Sequence, residues 1–206
     1  MGLFDFLKPR SDRLRELEKK PVVRKVMLEM KLEFLQKQIA NLRAVGREAD
    51  ADKAITTFLL EVLQEWKREP HNPIHLSTLA NSAIMLGALE AGKGWLKIVI
   101  EENEKTPFLD LTTVYMDLGR IYHRLRNNPE KELWCYHMAT EAIPPNNCKF
   151  PATKRHKAKA HNFAYMCANR IGNQEHVEFH DRKRRELAPE VNWDDAEHVL
   201  KLVQEQ

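Results

Sequence analysis

The sequence has little of what marks several common protein classes. It contains only seven glycines in 206 residues, and runs of β-branched residues are almost missing. No apolar run approaches the roughly 20 residues that a membrane-spanning helix needs. The N-terminus lacks the extended apolar core that precedes a secretory cleavage site. These absences argue against a β-sheet protein, a membrane-spanning protein and a secreted protein, and they predict a cytoplasmic, all-α chain.

Cysteine is scarce as well. Cys135, Cys148 and Cys167 form an odd set without a Cys-x-x-Cys pair, which favours a reducing compartment. Cys135 and Cys167 fall within helical patterns, so we interpret them as small core residues, with a redox role as the alternative.

Sequence motifs for catalysis are also missing. There is no Gly-rich phosphate loop, no nucleophile elbow and no paired-carboxylate arrangement. His176 and His180 stand four residues apart on a predicted helix, a spacing that can chelate a metal, but the sequence offers no third ligand. We therefore predict a protein that is not an enzyme and that has no metal site and no cofactor.

The composition is that of a folded chain of one sizeable domain. Hydrophobic residues make up 43% and charged residues 31%, a balance that favours folding over disorder. The formal net charge of +3 is too small to require a nucleic-acid partner, so an argument for one must rest on local clusters.

Residues 106–145 show two helical stripes joined by a break at Asn127-Asn128-Pro129. The apolar residues of the first stripe are Leu111, Val114, Tyr115, Leu118, Ile121, Tyr122 and Leu125. Those of the second are Leu133, Tyr136, Ala139 and Ala142. Two amphipathic helices joined by two or three residues fold back antiparallel, because only this arrangement buries both apolar faces.

A helix start signal, a capping residue followed by proline, recurs along the chain. Asn72-Pro73, Thr106-Pro107 and Asn128-Pro129 each place a capping side chain before a proline at the first helical position. Between the first two of these starts, Gly92 and Gly94 are expected to mark the turn of another helix pair. The pattern therefore predicts successive helix pairs.

Helices are also predicted outside these pairs. Pro21 and Gly46 bound a long helix, and another spans about 50–68. The apolar residues expected on the buried side of the first are Val23, Val26, Met27, Met30, Phe34, Ile39 and Leu42. Asn192 is expected to cap a final amphipathic helix that includes Trp193.

We divide the chain into an N-terminal helical region (1–70), a region of helix pairs (71–190) and a C-terminal capping helix (191–206). Together they are expected to form one continuous domain.

Leu118-Gly119 and Tyr122 in one helix, with Tyr136, Ala139 and Pro144 in the next, resemble the signature of a tetratricopeptide repeat. Gly119 is expected to let the paired helix approach closely, and Pro144 to stop the second helix. The pairs at 73–107 and 152–189 look similar with less regular spacing. A different solenoid of antiparallel helix pairs is the alternative.

The resemblance implies a solenoid whose first helices line a concave groove for a peptide or protein segment. By position, the groove residues are Asn81, Asp117, Arg120, His123, Arg124, His161, Asn162, Tyr165 and Asn169. Such polar side chains hydrogen-bond a peptide backbone or its carboxylates. The predicted function is a non-enzymatic protein-interaction scaffold, and the alternative for these residues is an ordinary solvated surface.

A basic stretch over 149–185 supports a second hypothesis. Its cations are Lys149, Lys154, Arg155, Lys157, Lys159, Arg170, Arg182, Lys183, Arg184 and Arg185. Such clusters attract phosphates, so the alternative function is binding of nucleic acid or phosphate. A solvated helix face would show the same pattern, and few aromatic residues are present to stack on bases.

The N-terminal segment is apolar at residues 2–7, next to Lys8 and Arg10. It predicts a weak contact with a membrane surface or a partner. The alternative is that it packs under the first helix, which Ser11 is expected to cap.

Overall fold

The computed structural model describes residues 21–68 and 73–204. Within these ranges it contains nine helices and no strand, which confirms the all-α class. They are α1 (Pro21–Ala44), α2 (Glu48–Arg68), α3 (Pro73–Leu86), α4 (Leu89–Lys105), α5 (Thr112–Leu125), α6 (Pro129–Glu141), α7 (Lys154–Ile171), α8 (Gln174–Leu187) and α9 (Ala196–Gln204). None of these described helices is long and apolar enough to cross a membrane.

Some predictions fall outside the described part of the chain. They concern the apolar segment 2–7, the helix start at Ser11, the side chain of Val23 and the cap at Asn72.

The first compact unit ends at Val62 and contains α1 and most of α2. Gly46, with φ of +73°, lies in the turn between them, as predicted. Lys31 on α1 pairs with Glu61 on α2 at 2.9 Å between Nζ and Oε2. These two residues lie at similar distances from the turn, as in a helical hairpin.

The buried side of α1 matches the prediction only in part. Its buried residues are Leu28, Leu32, Leu35 and Ile39, of which only Ile39 was predicted. Met27 and Leu42 are half-buried. Of the predicted stripe, Val26, Met30 and Phe34 are exposed, with 47%, 66% and 57% of their surface accessible. The α1 sequence carries apolar residues on more than one side, so periodicity alone does not decide which side is covered.

The second unit starts at Leu63 and contains three helix pairs with short connections. The pairs are α3 with α4, α5 with α6, and α7 with α8. Each pair contacts the next one: α3 and α4 pack against α5, and α5 and α6 pack against α7. The predicted succession of helix pairs is therefore present, in chain order.

Helix α5 is buried on almost every side. A Cβ atom added at Gly119 would lie 2.5 Å from Cε1 of Tyr136 on α6, so no side chain fits there. Tyr136 in turn stacks on Phe163 of α7, with 5.3 Å between ring centroids. The predicted close approach at Gly119 is confirmed, and it links α5, α6 and α7 in one packed layer.

The turn between α3 and α4 was predicted at the wrong glycines. Gly87, with φ of +72°, makes this turn, whereas Gly92 and Gly94 lie inside α4. A Cβ atom at Gly92 would lie 2.5 Å from that of Ala83. Gly92 therefore allows close packing of two helices and does not reverse the chain.

The predicted helix start at Thr106-Pro107 is also wrong, since α5 begins at Thr112. Asn103 accepts a hydrogen bond from the backbone NH of Leu109 at 2.8 Å, and Leu109 is almost fully buried. Asp110 then accepts from the backbone NH of Thr112 at 2.8 Å. These contacts hold the segment as a loop until the helix begins.

At two other junctions, the structure confirms the helix ends that local residues predicted. Asn128 caps α6 by accepting from the backbone NH of Lys131 at 2.8 Å, and Pro129 is the first helical residue. Gly172, with φ of +74°, ends α7, and Asn173 caps α8.

Helix α9 packs on the last pair through Leu202, which shares a small core with Ala188 and Trp193. Trp193 precedes the helix, and its indole NH donates to the carbonyl of Ala188 at 3.1 Å. The cap is Asp195 and not the predicted Asn192, because Asp195 accepts from the first turn of α9 at 2.8 Å.

Cys135 and Cys167 are core residues, as predicted, with 0% and 1% of their surface exposed. Burial raises the pKa of each thiol to about 12. Cys148 is only half-buried.

Substitution of Gly119 tests the packing of α5 against α6. We expect Gly119→Ala to lower the free energy of unfolding by about 1–3 kcal/mol, because the methyl group must displace the buried ring of Tyr136. Gly94→Ala is the control, since a Cβ atom there meets no atom within 4 Å. It should stabilise the helix by about 0.5–1 kcal/mol. Urea unfolding measures both, and equal effects would contradict the close contact.

Thiol labelling tests the burial of the cysteines. At pH 8, a thiol with a pKa of about 12 is almost entirely protonated and unreactive. We expect a thiol-specific disulfide reagent to modify only Cys148 in the native protein and all three cysteines after unfolding. Cys148→Ser should remove the native reaction, and persistent labelling of that variant would argue against the buried environment.

Candidate functional site

A buried carboxylate joins the ends of three helices. Glu132 on α6 is 4% exposed and accepts a hydrogen bond from the guanidinium of Arg170 on α7. The Nδ1 atom of His123 on α5 lies 2.7 Å from Nη1 of Arg170 and 3.1 Å from Oε1 of Glu132. Because arginine only donates, the shorter contact uses the imidazole lone pair. The sequence analysis placed His123 in the groove and Arg170 in the basic stretch, and it missed Glu132.

The predicted groove residues on α3 and α5 are partly exposed. Asp117 is buried, and it accepts from Nη1 of the half-exposed Arg120 at 3.0 Å. His123 and Arg124 are exposed, and Asn81 is half-buried. An internal ion pair therefore occupies part of the predicted groove.

The predicted groove residues on α7 mostly face α8. Asn162 has no exposed surface, and its amide oxygen accepts from Nη1 of Arg184 at 2.6 Å. The same guanidinium lies over the ring of Tyr165, with 3.7 Å between Cζ and the ring centroid. His161 is buried, and Asn169 is exposed. Asn162 and His161 therefore belong to the packing of α7 against α8.

The second half of the predicted basic stretch is neutralised by acidic neighbours. Arg182 and Lys183 pair with Glu186, at 3.8 Å and 2.7 Å. Arg184 and Arg185 both pair with Asp181, and Arg185 also reaches Asp194. Arg184 is also buried, at 4% exposure. This run does not form an open positive surface.

The cations in the first half of the basic stretch differ in their exposure to solvent. Lys149, Lys154 and Arg155 are exposed, whereas Lys159 is buried. Lys157 is half-buried, and its ammonium group donates to three carbonyl oxygens at the end of α6, at 2.6 to 3.1 Å. Burial lowers the pKa of this lysine. Its charge offsets the negative end of the helix dipole, a role that the sequence analysis missed.

An open pocket of about 500 Å³ lies between α4 and α6, with α5 as its floor. It is lined by Lys97, Ile100, Glu101 and Glu104 of α4, by Tyr115, Leu118 and Tyr122 of α5, and by Lys131, Trp134 and Met138 of α6. The ring of Trp134 meets that of Tyr115 edge-on, with 5.8 Å between centroids, yet Trp134 remains 52% exposed. Of these lining residues, the sequence analysis assigned Tyr115, Leu118 and Tyr122 to the buried stripe of α5, and it did not identify Trp134.

Charges of both signs surround this pocket. Burial and the nearby Glu104 raise the pKa of Tyr115. Burial raises the pKa of Cys135 as well, and the fields of Lys97 and Lys131 oppose that shift. Lys97 and Lys131 therefore place positive charge, and Glu104 places negative charge, in the lining of this pocket.

Four histidines from three helices meet in a separate cluster. His137 on α6 and His176 and His180 on α8 bring ring nitrogens within 4.8 Å of one another. His161 on α7 adds a contact of 2.9 Å between its Nδ1 and that of His180. Burial lowers the pKa of His161 to about 4 and that of His180 to about 3. The spacing of His176 and His180 can be read from the sequence. That His137 of α6 lies beside them depends on how the helix pairs pack.

Removal of Arg170 tests the Glu132 cluster. We expect Arg170→Ala to lower the free energy of unfolding by about 1–3 kcal/mol, because a buried carboxylate loses its cation. Arg124→Ala is the control, since this exposed arginine on α5 should change stability by less than about 0.5 kcal/mol. Urea unfolding compares the two, and an unchanged Arg170→Ala variant would contradict the assigned role.

A comparison with protein-family models and a comparison with curated proteins each found no match to this chain. The resemblance to tetratricopeptide repeats therefore rests on the residues of the chain itself.

Proposed function

We propose that this chain is a non-enzymatic scaffold that binds a segment of a partner protein. Support comes from the three helix pairs that follow one another in chain order, because stacked helix pairs present extended binding surfaces. The contact of Gly119 with Tyr136 supports a tetratricopeptide-like arrangement, in which α9 would be the capping helix.

The pocket between α4 and α6 carries this proposal. Its walls are mainly aromatic and aliphatic, and Trp134 stands half-exposed beside them. A large aromatic side chain next to an apolar recess is typical of the anchor points that dominate protein interfaces. We propose that the partner inserts one large apolar side chain against Trp134.

The charges around the pocket indicate what flanks that side chain. Lys97 lines the pocket from α4 and Lys131 from α6, and Glu101 and Glu104 line it from α4 as well. We propose that the partner segment places a carboxylate toward the two lysines, because complementary charges fix the direction in which a segment binds.

The predicted groove on α5 and α7 has a smaller part in this proposal. Asn162 and His161 are buried against α8 and cannot contact a partner without unpacking. His123, Arg124 and Asn169 are exposed, and they form a second surface that the same experiments address.

Binding without turnover is proposed because the histidines with strongly lowered pKa values lie outside the pocket. The cations over 182–185 have acidic partners, so this run gives no support to binding of nucleic acid or phosphate, and that alternative rests on the exposed Lys149, Lys154 and Arg155. The buried thiols of Cys135 and Cys167 agree with the proposed cytoplasmic location, where disulfides are rare.

Substitution of Trp134 tests the proposed anchor. A peptide selected from a displayed random library on the whole protein serves as the probe. We expect Trp134→Ala to weaken its binding by at least about tenfold, since loss of an aromatic anchor typically removes about 2 kcal/mol or more. Fluorescence polarisation measures the dissociation constants.

Phe150→Ala is the matched control, because Phe150 is 50% exposed and lies outside the pocket. It should leave the affinity unchanged. A loss of binding in Arg124→Glu with no change in Trp134→Ala would instead assign the partner to the surface of α5 and α7 and contradict the pocket proposal.

A further inference from the structure

Three imidazole nitrogens in the histidine cluster are buried and have no hydrogen-bond partner among the described residues. They are Nδ1 of His137, Nδ1 of His176 and Nε2 of His180. Buried polar atoms almost always have a partner, because an unpaired one is destabilising. Three such atoms on one group of side chains call for a common explanation.

The three rings are arranged as a nearly regular triangle. Their centroids are 5.7 Å apart between His137 and His176, 5.7 Å between His137 and His180, and 5.6 Å between His176 and His180. One nitrogen of each lies within 4.8 Å of the others. In a tetrahedral zinc site, ligand nitrogens are about 3.3 Å apart. Cation binding therefore requires these nitrogens to move closer together by up to about 1.5 Å.

His161 selects the tautomer of His180 that such a site needs. Their Nδ1 atoms are 2.9 Å apart, so one of them donates a proton to the other. When His180 donates, its Nε2 keeps a lone pair directed into the cluster. A hydrogen bond of this kind from the second ring nitrogen is usual for metal-bound histidines.

The chemistry of the ligands indicates the class of cation. All three are imidazoles, which suit zinc, copper and nickel and not magnesium or calcium.

We propose that His137, His176 and His180 bind one divalent transition-metal cation of the zinc type, with His161 as the positioning residue. Three protein ligands leave a fourth coordination position for water or a partner's side chain. The cation links α6 to α8, the second helices of consecutive pairs. This inference does not rest on the peptide-binding proposal, because none of these histidines lines the pocket.

Calorimetric titration with Zn²⁺ tests the site. The full-length chain is prepared without a polyhistidine tag, stripped with a chelator and titrated with ZnCl₂. We expect one Zn²⁺ per chain with a dissociation constant of about 1 μM or lower, and no heat of binding for MgCl₂. Co²⁺ should give the strong visible absorption of a four-coordinate ion.

Single substitutions assign the ligands. His137→Ala and His176→Ala remove half-buried side chains and should each weaken Zn²⁺ binding by more than about tenfold. His198→Ala, an exposed histidine on α9, is the control and should bind Zn²⁺ unchanged. Circular dichroism verifies that each variant is folded, and Zn²⁺ should raise the Tm of the wild type but not that of His176→Ala.

Nitrogen-15 NMR of the zinc-loaded protein tests the positioning role of His161. We expect Zn²⁺ at Nε2 of His180 with a proton retained on its Nδ1. Coordination through Nδ1 of His180 would overturn this role. The absence of binding at one ion per chain, or binding that survives both ligand substitutions, would overturn the site as a whole.

Discussion

The contact between the bare backbone of Gly119 and the ring of Tyr136 sets the distance between α5 and α6. Any larger residue at this position would have to displace this ring. The same ring stacks on Phe163, so the position of α7 depends on it as well. A second close approach, between Gly92 and Ala83, joins α4 to α3, and both of these helices pack against α5.

Helix α6 contributes to the Glu132 cluster, to the pocket and to the histidine cluster. Glu132 of α6 accepts a hydrogen bond from Arg170 of α7. Trp134 lines the pocket opposite α4, and His137 lies beside the two histidines of α8. Because the three side chains project from one helix, the positions of the three sites relative to one another depend on that helix. A shift of α6 would therefore disturb all of them together.

The buried polar groups of this unit fall into two kinds. Asn103, Glu132 and Asn162 each have hydrogen-bond partners, so their burial holds a loop or two helices together. The orphaned nitrogens of the histidine cluster differ, because no neighbour among the described residues satisfies them. Oγ1 of Thr112 also lacks a partner among the described residues, but it stands alone, whereas the three histidine nitrogens lie together, where the proposed cation would satisfy them.

Local signals in the sequence determined the helical class and several helix ends, such as the cap at Asn128 and the turn at Gly172. These features depend on a few neighbouring residues, so they can be read from the chain directly. Only the tertiary structure decided which side of α1 is buried, that Gly92 serves packing, and that His137 meets the histidines of α8. Such outcomes depend on residues far apart in sequence, and periodicity does not specify which surfaces meet.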